Sequence, residues 1–142
     1  MRNMIKALAA CATVIALAGC AAPVERTASG EIPPARVYIK SMTQQESGLS
    51  QVEFTRDGGM LNNGMLELAI NDVVLAQIIG GEHFSIWLKP GSYDFSVKPV
   101  HTLNSSSYAG QNKMTLDVKN GASYKIRIAS DIRGLKIGPA GQ

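Results

Sequence analysis

Few side chains in this 142-residue chain have the type and spacing that covalent or acid–base chemistry needs. The cysteines are Cys11, inside an apolar run, and Cys20, directly after Leu17-Ala18-Gly19. The only histidines, His83 and His101, stand apart in sequence, and two imidazoles alone fall short of the three or four ligands a zinc site uses. Ser105-Ser106-Ser107 lies near His101, with Asp94 or Asp117 available as a third member of a hydrolytic triad. No glycine-flanked elbow surrounds those serines, so the run reads as a loop. Gly58-Gly59-Met60-Leu61-Asn62-Asn63-Gly64 is glycine-rich but lacks the lysine and following helix of a phosphate-binding loop. It reads as a wide connection whose apolar tip, Met60 and Leu61, is a candidate contact point. Glu67 and Asp72 are split by a turn and read as surface carboxylates. The expectation is a non-enzymatic protein with no metal and no dissociable cofactor.

The N-terminus carries a different kind of chemistry. Arg2 and Lys6 precede Ala7 to Leu17, an apolar run of about eleven residues. That is the length of a signal-peptide core and too short to cross a bilayer at ~1.5 Å per helical residue. Small residues then lead to a cysteine, and Leu17-Ala18-Gly19-Cys20 resembles the bacterial lipobox. The resemblance implies that the Cys20 thiol receives a diacylglycerol, that residues 1–19 are removed, and that the new amino group is acylated. Three acyl chains at ~0.8 kcal/mol per buried methylene exceed what stable anchoring requires. By resemblance to enterobacterial sorting, in which an aspartate after the cysteine retains the chain in the inner membrane, Ala21 implies, for a Gram-negative source, the outer membrane, facing the periplasm.

Cysteine usage bounds the rest. With Cys11 lost in the signal and Cys20 consumed by lipid, the folded domain has no thiol for a disulfide, a metal or nucleophilic attack. The mature chain, Cys20–Gln142, is 142 less 19, or 123 residues, which suits one domain with a single core. Removing Arg2 and Lys6 leaves 12 basic against 11 acidic residues, a charge near +1. No basic run is interleaved with aromatics, so nucleic acid is not an expected partner. Residues 20–34, rich in Ala, Pro, Ser, Thr and Gly, read as a lipidated N-terminus and flexible tether spanning roughly 20 Å, and at most ~45 Å.

Residues 35–142 are dominated by period-two alternation, the pattern of half-buried strands. Val37 and Ile39, Val52 and Phe54, then Leu66, Leu68 and Ile70 mark the first three. Val73 to Ile78 is more uniformly apolar, as a strand covered on both faces would be. Phe84, Ile86 and Leu88 follow, then Tyr93, Phe95 and Val97, Met114 to Val118, Tyr124 to Ile128, and a short Leu135 to Ile137. Asn71-Asp72 suits a tight hairpin because both residues tolerate the left-handed region. Lys89-Pro90-Gly91-Ser92 suits a type II turn, and Lys119-Asn120-Gly121-Ala122 carries the strongest hairpin signal. No helical periodicity of ten residues follows the signal. The expected fold is all-β, an antiparallel β-sandwich of about seven or eight strands preceded by a signal-peptide helix.

From Arg36 to Val97 the order of strands and turns resembles a group of small proteobacterial lipoproteins with PEGA-like or transthyretin-like sandwich domains. The residues carrying it are Val52 to Gly59, Leu68 to Ala76, Gly80-Gly81-Glu82 and Trp87-Leu88-Lys89-Pro90-Gly91-Ser92-Tyr93. Such relatives often carry cysteine in the loop where this chain has Asn62-Asn63-Gly64, so any disulfide of theirs is absent here. The resemblance implies a fold and a location, and no activity.

Trp87 falls on the polar phase of its strand with Ser85 and Lys89, and Met65 and Tyr38 are also on polar phases. An exposed apolar patch there would mark a protein partner. The expected function is an interaction or assembly module of the cell envelope, held to the membrane by its lipid, with Trp87, Met60 and Leu61 as candidate contacts. Alternatives are a lipoprotein component of a secretion or conjugation machine, and a small-ligand or glycan binder stacking sugars on Trp87 and Tyr93.

Overall fold

A computed structural model describes residues 24–62, 64–100 and 112–141. Leu17, Ala18, Gly19 and Cys20, with His101 and Ser105 to Ser107, lie outside the described residues. Among those described, no helix is long and apolar enough to cross a membrane.

Alternating side chains place one apolar face on each strand, and two such faces close over each other. Among the described residues eight strands result: β1 Ser50–Arg56, β2 Leu66–Ile70, β3 Val73–Ile78, β4 His83–Leu88, β5 Gly91–Pro99, β6 Lys113–Val118, β7 Ser123–Asp131 and β8 Gly134–Pro139. They form two four-stranded sheets, β4-β1-β7-β8 and β3-β2-β5-β6, packed as a β-sandwich. The six pairs of neighbouring strands are five antiparallel and one parallel. β1 pairs parallel with β7 on one side while pairing antiparallel with β4 on the other. Phe54 of β1 stands at the centre of the core. Its ring stacks on Phe84 at 5.4 Å and meets Phe95 of the opposite sheet edge-on at 5.1 Å.

The expected hairpin at Asn71-Asp72 forms, both residues taking positive φ (47° and 65°) as a two-residue turn of this twist requires. The other two turn motifs do something else. Lys89-Pro90 carries the chain from β4 in one sheet to β5 in the other, and Gly91 keeps a negative-side backbone as the first residue of β5, so no type II turn is made. Asn120-Gly121 likewise carries β6 of one sheet into β7 of the other, with Gly121 at φ 71°. These turns build a sandwich by switching sheets where a hairpin would extend one.

Two expected strands also differ. β3 is an edge strand, not one covered on both faces. Its register with β2 shifts after Leu68, leaving Leu75 as an extra residue, so Leu75 and Ala76 are buried in succession while Val73 is 56% exposed. Around Val37 and Ile39 no regular strand forms: Pro34–Arg36 and Lys40–Thr43 are short 3-10 turns, and Val37 alone bridges Ala76. Pro33 and Pro34 explain this, because neither supplies an N–H to a ladder. The segment acts instead as a strap over one open side of the sandwich. Ile32 N–H donates to His83 C=O, His83 N–H donates to Gly30 C=O, and Tyr38 N–H donates to Leu75 C=O, so both edge strands of that side are held. Residues 25–34, expected to belong to a flexible tether, thus lie against the domain.

Candidate functional site

Backbone direction along β4 decides what its outer edge offers. Arg56 N–H donates to Glu82 C=O, and the β1–β4 register continues this pairing through Phe54↔Phe84, Val52↔Ile86 and Ser50↔Leu88. Even-numbered residues of β4 therefore point their N–H and C=O at β1, and His83, Ser85 and Trp87 point theirs outward. The strap occupies only the first of these. In the parallel register begun by His83 with Gly30 and Ile32, the next donor to Ser85 C=O would be the N–H of residue 34, which is proline. The ladder stops there, and among the described residues nothing pairs with the outward groups of Ser85 and Trp87.

A cleft of about 290 Å³ opens along this stretch, between the edge of β4 and the strap, whose Lys40–Thr43 turn comes back beside β4 and walls the cleft with Lys40, Thr43 and Gln44. Ile32, Val37 and Phe84 form a buried apolar floor, Trp87 a half-buried wall, and Lys40 and Glu31 polar margins. The volume is at the low end for ligand pockets and has room for a few residues of extended chain. Trp87 is therefore a cleft wall at a sheet edge. Tyr38 and Met65, singled out with Trp87 by their phase, do not line the cleft.

The other candidate contacts lie elsewhere. Met60 and Leu61 are in a 3-10 turn after β1, at the His83 end of the sandwich, whereas Trp87 is about 13 Å further along β4. Tyr93 is on β5 of the opposite sheet, packed against the core with its hydroxyl donating to Lys89 C=O at 3.0 Å. Trp87 and Tyr93 thus do not form one stacking site. Asp94 accepts from the Thr115 hydroxyl, and Glu67 pairs with Lys98, each an ordinary surface contact. Among the described residues no three His, Cys, Asp or Glu side chains converge as metal ligands would.

Sequence reasoning missed a buried ion cluster at the His83 end. Glu82 is 2% exposed, its carboxylate gripped by both Nη atoms of Arg36 (2.8 and 2.5 Å) and by the Ile79 N–H at 2.9 Å. Arg36 also donates to Gln77 C=O and Glu25 C=O, tying strap to sandwich. Arg56, equally buried, donates to Gly64 and Ile78 carbonyls. Burial pushes its pKa down to about 10, against the raising influence of Glu82, so the guanidinium stays charged at neutral pH. One signal was present: Arg56 follows Val52 and Phe54 on the apolar phase of β1, and a charge there must be paired. Two buried guanidiniums around one carboxylate make a fastening between strap and sandwich.

The sequence matches no protein-family model, and no curated protein matches it either.

Proposed function

We propose that this chain is a lipid-anchored protein of the cell envelope whose β-sandwich is a non-enzymatic interaction module, binding an extended segment of a partner protein along β4. The observation that supports this is the edge at Ser85 and Trp87: two outward N–H and two outward C=O groups beside an apolar-floored cleft. An extended segment laid there would continue the sheet, main-chain bonds supplying affinity and Trp87 supplying a side-chain surface. Four backbone bonds at about 0.5–1.5 kcal/mol each, plus about 1.5–3 kcal/mol for covering Trp87, are largely offset by the entropy of association, so these groups alone give a weak contact, at best of roughly submillimolar class. The lipobox resemblance at Cys20 supports the anchor, and Ala21 supports the periplasmic face of the outer membrane.

A proline at position 85 tests the edge. Because the Ser85 N–H faces away from β1, Ser85→Pro removes the edge donor without breaking a ladder bond, which is where edge strands tolerate proline. Ser85→Ala is the control: it loses only the Oγ that accepts from Gln51 Nε2 at 3.0 Å and keeps the N–H. Peptides enriched from a random display library on the mature protein should bind Ser85→Ala normally and Ser85→Pro about tenfold more weakly or worse. Enriched peptides that bind both variants alike would place the site elsewhere.

A further inference from the structure

The most exposed large apolar side chains of the described residues are concentrated at one end of the sandwich. Ile132 is 95% exposed, Met60 91% and Leu61 63%, with Val24 at 49%. The remaining two, Tyr38 and Val73, lie on the strap and beside the Asn71-Asp72 turn at the opposite end. Single exposed apolar residues are normal, but a group held on one tip is not.

Named contacts bring the group together. Arg26 donates to Gly80 C=O at 3.1 Å, placing the start of the strap beside the β3–β4 turn. Gly80 in turn packs under the Met60-Leu61-Asn62 turn so closely that a Cβ on it would stand 2.2 Å from the Asn62 carbonyl oxygen. The Asn62 side chain then accepts from Ser130 N–H at 2.8 Å, fixing that turn to the end of β7. Ile132 and Arg133 form the tip between β7 and β8, held by Asp131 accepting from Arg133 N–H at 2.7 Å. Val24, Met60, Leu61 and Ile132 thus share the end from which the chain runs back toward Cys20.

We propose that this end is seated on a lipid bilayer, with Met60, Leu61 and Ile132 entering the boundary between headgroups and acyl chains. The inference rests in part on the anchor assigned to Cys20. Cys20 is only four residues before Val24, at most about 14 Å of extended chain, so an acylated Cys20 keeps this end near the lipid. Charge does not oppose this seat. The carboxylates of Asp57, Asp131 and Glu82 at this end are each ion-paired, to Arg127, Lys136 and Arg36. Arg133 is exposed beside Ile132, and Arg26 beside Val24. Glu25 and Glu31 on the strap are exposed as well, and Asp131 is exposed although paired with Lys136. Arg133 can meet an anionic headgroup while Ile132 beside it enters the layer. Seated this way, the molecule holds the Trp87 stretch of β4 away from the bilayer.

The single tryptophan makes a clean test possible. In a Trp87→Phe background, Met60→Trp, Ile132→Trp and Val73→Trp each place one fluorophore. Each full-length chain is expressed, purified with whatever modification it carries, and mixed with phosphatidylethanolamine–phosphatidylglycerol vesicles whose acyl chains are brominated. The expected result is a blue shift and strong bromine quenching for Met60→Trp and Ile132→Trp, with neither for Val73→Trp. Vesicle-bound chains whose residue-60 and residue-132 fluorophores escape quenching would overturn the proposal. So would a blue shift without quenching, which would mean a second copy or another protein covers the patch. Intact mass of the same samples separates the two ideas. An unlipidated chain that still floats and is quenched removes the anchor and keeps the patch. A lipidated chain that floats unquenched removes only the patch, and an unlipidated chain that does not float removes both.

Discussion

Glu82→Gln is expected to destabilise the protein by about 3–5 kcal/mol, because it leaves the guanidiniums of Arg36 and Arg56 buried without their counter-charge. Glutamine is nearly isosteric and keeps an oxygen for the Ile79 N–H, so the loss is of charge and of the bidentate grip, with little change in packing. Against the 5–15 kcal/mol typical of a folded domain this is a large fraction, and urea titration should show a lower midpoint at unchanged slope. The strap should loosen with it, since Arg36 is the side chain that joins Glu25 and Gln77 to Glu82. Arg36→Met combined with Glu82→Met should cost less than the sum of the two single changes, because the second removes a charge the first has orphaned. Strict additivity would show that the pair is not coupled and that the cluster is a surface feature.

Phe54→Ala should cost a similar 3–5 kcal/mol by a different mechanism. Phe54 is fully buried on the strand that joins the antiparallel and parallel halves of its sheet, and its ring touches Phe84 beside it and Phe95 across the sandwich. Removing it opens a cavity that no neighbour can fill without breaking a sheet-to-sheet contact. The melting temperature should fall on the order of 10–20 °C, and Phe54→Leu should recover more than half of the loss. A small effect of Phe54→Ala would mean that the two sheets are not clamped through this ring.

The faces of the strands were legible because they follow from local alternation: Phe84, Ile86 and Leu88 are buried and Ser85 and Trp87 are not, as their phase dictates. Asn71-Asp72 was legible for the same reason, since a left-handed pair is a property of two adjacent residues. What was hidden depends on partners distant in sequence. Pro90-Gly91 and Asn120-Gly121 are good turn formers, but whether a turn returns within a sheet or switches sheets is decided by what the next strand pairs with. The parallel register of β1 with β7 joins segments some seventy residues apart and leaves no local mark. Arg36 and Glu82 are 46 residues apart, and each alone resembles a surface charge. Only Arg56, out of place on an apolar phase, betrayed the cluster. The docking edge was half visible: Trp87 drew attention through its type and phase. Its significance came from Pro34, whose missing N–H ends the strap's ladder at His83, before Ser85 and Trp87.

The openness of that edge is the claim on which the proposed function stands, and amide hydrogen exchange read residue by residue along β4 measures it. In the isolated protein His83 is bonded to Gly30, and Phe84, Ile86 and Leu88 to β1, so these four amides should exchange slowly. Ser85 and Trp87 should exchange fast, giving an alternating profile that becomes uniformly slow when a peptide is bound. Ser85 and Trp87 protected as strongly as Ile86 in the isolated protein would mean that the edge is already covered and that no partner strand can add there.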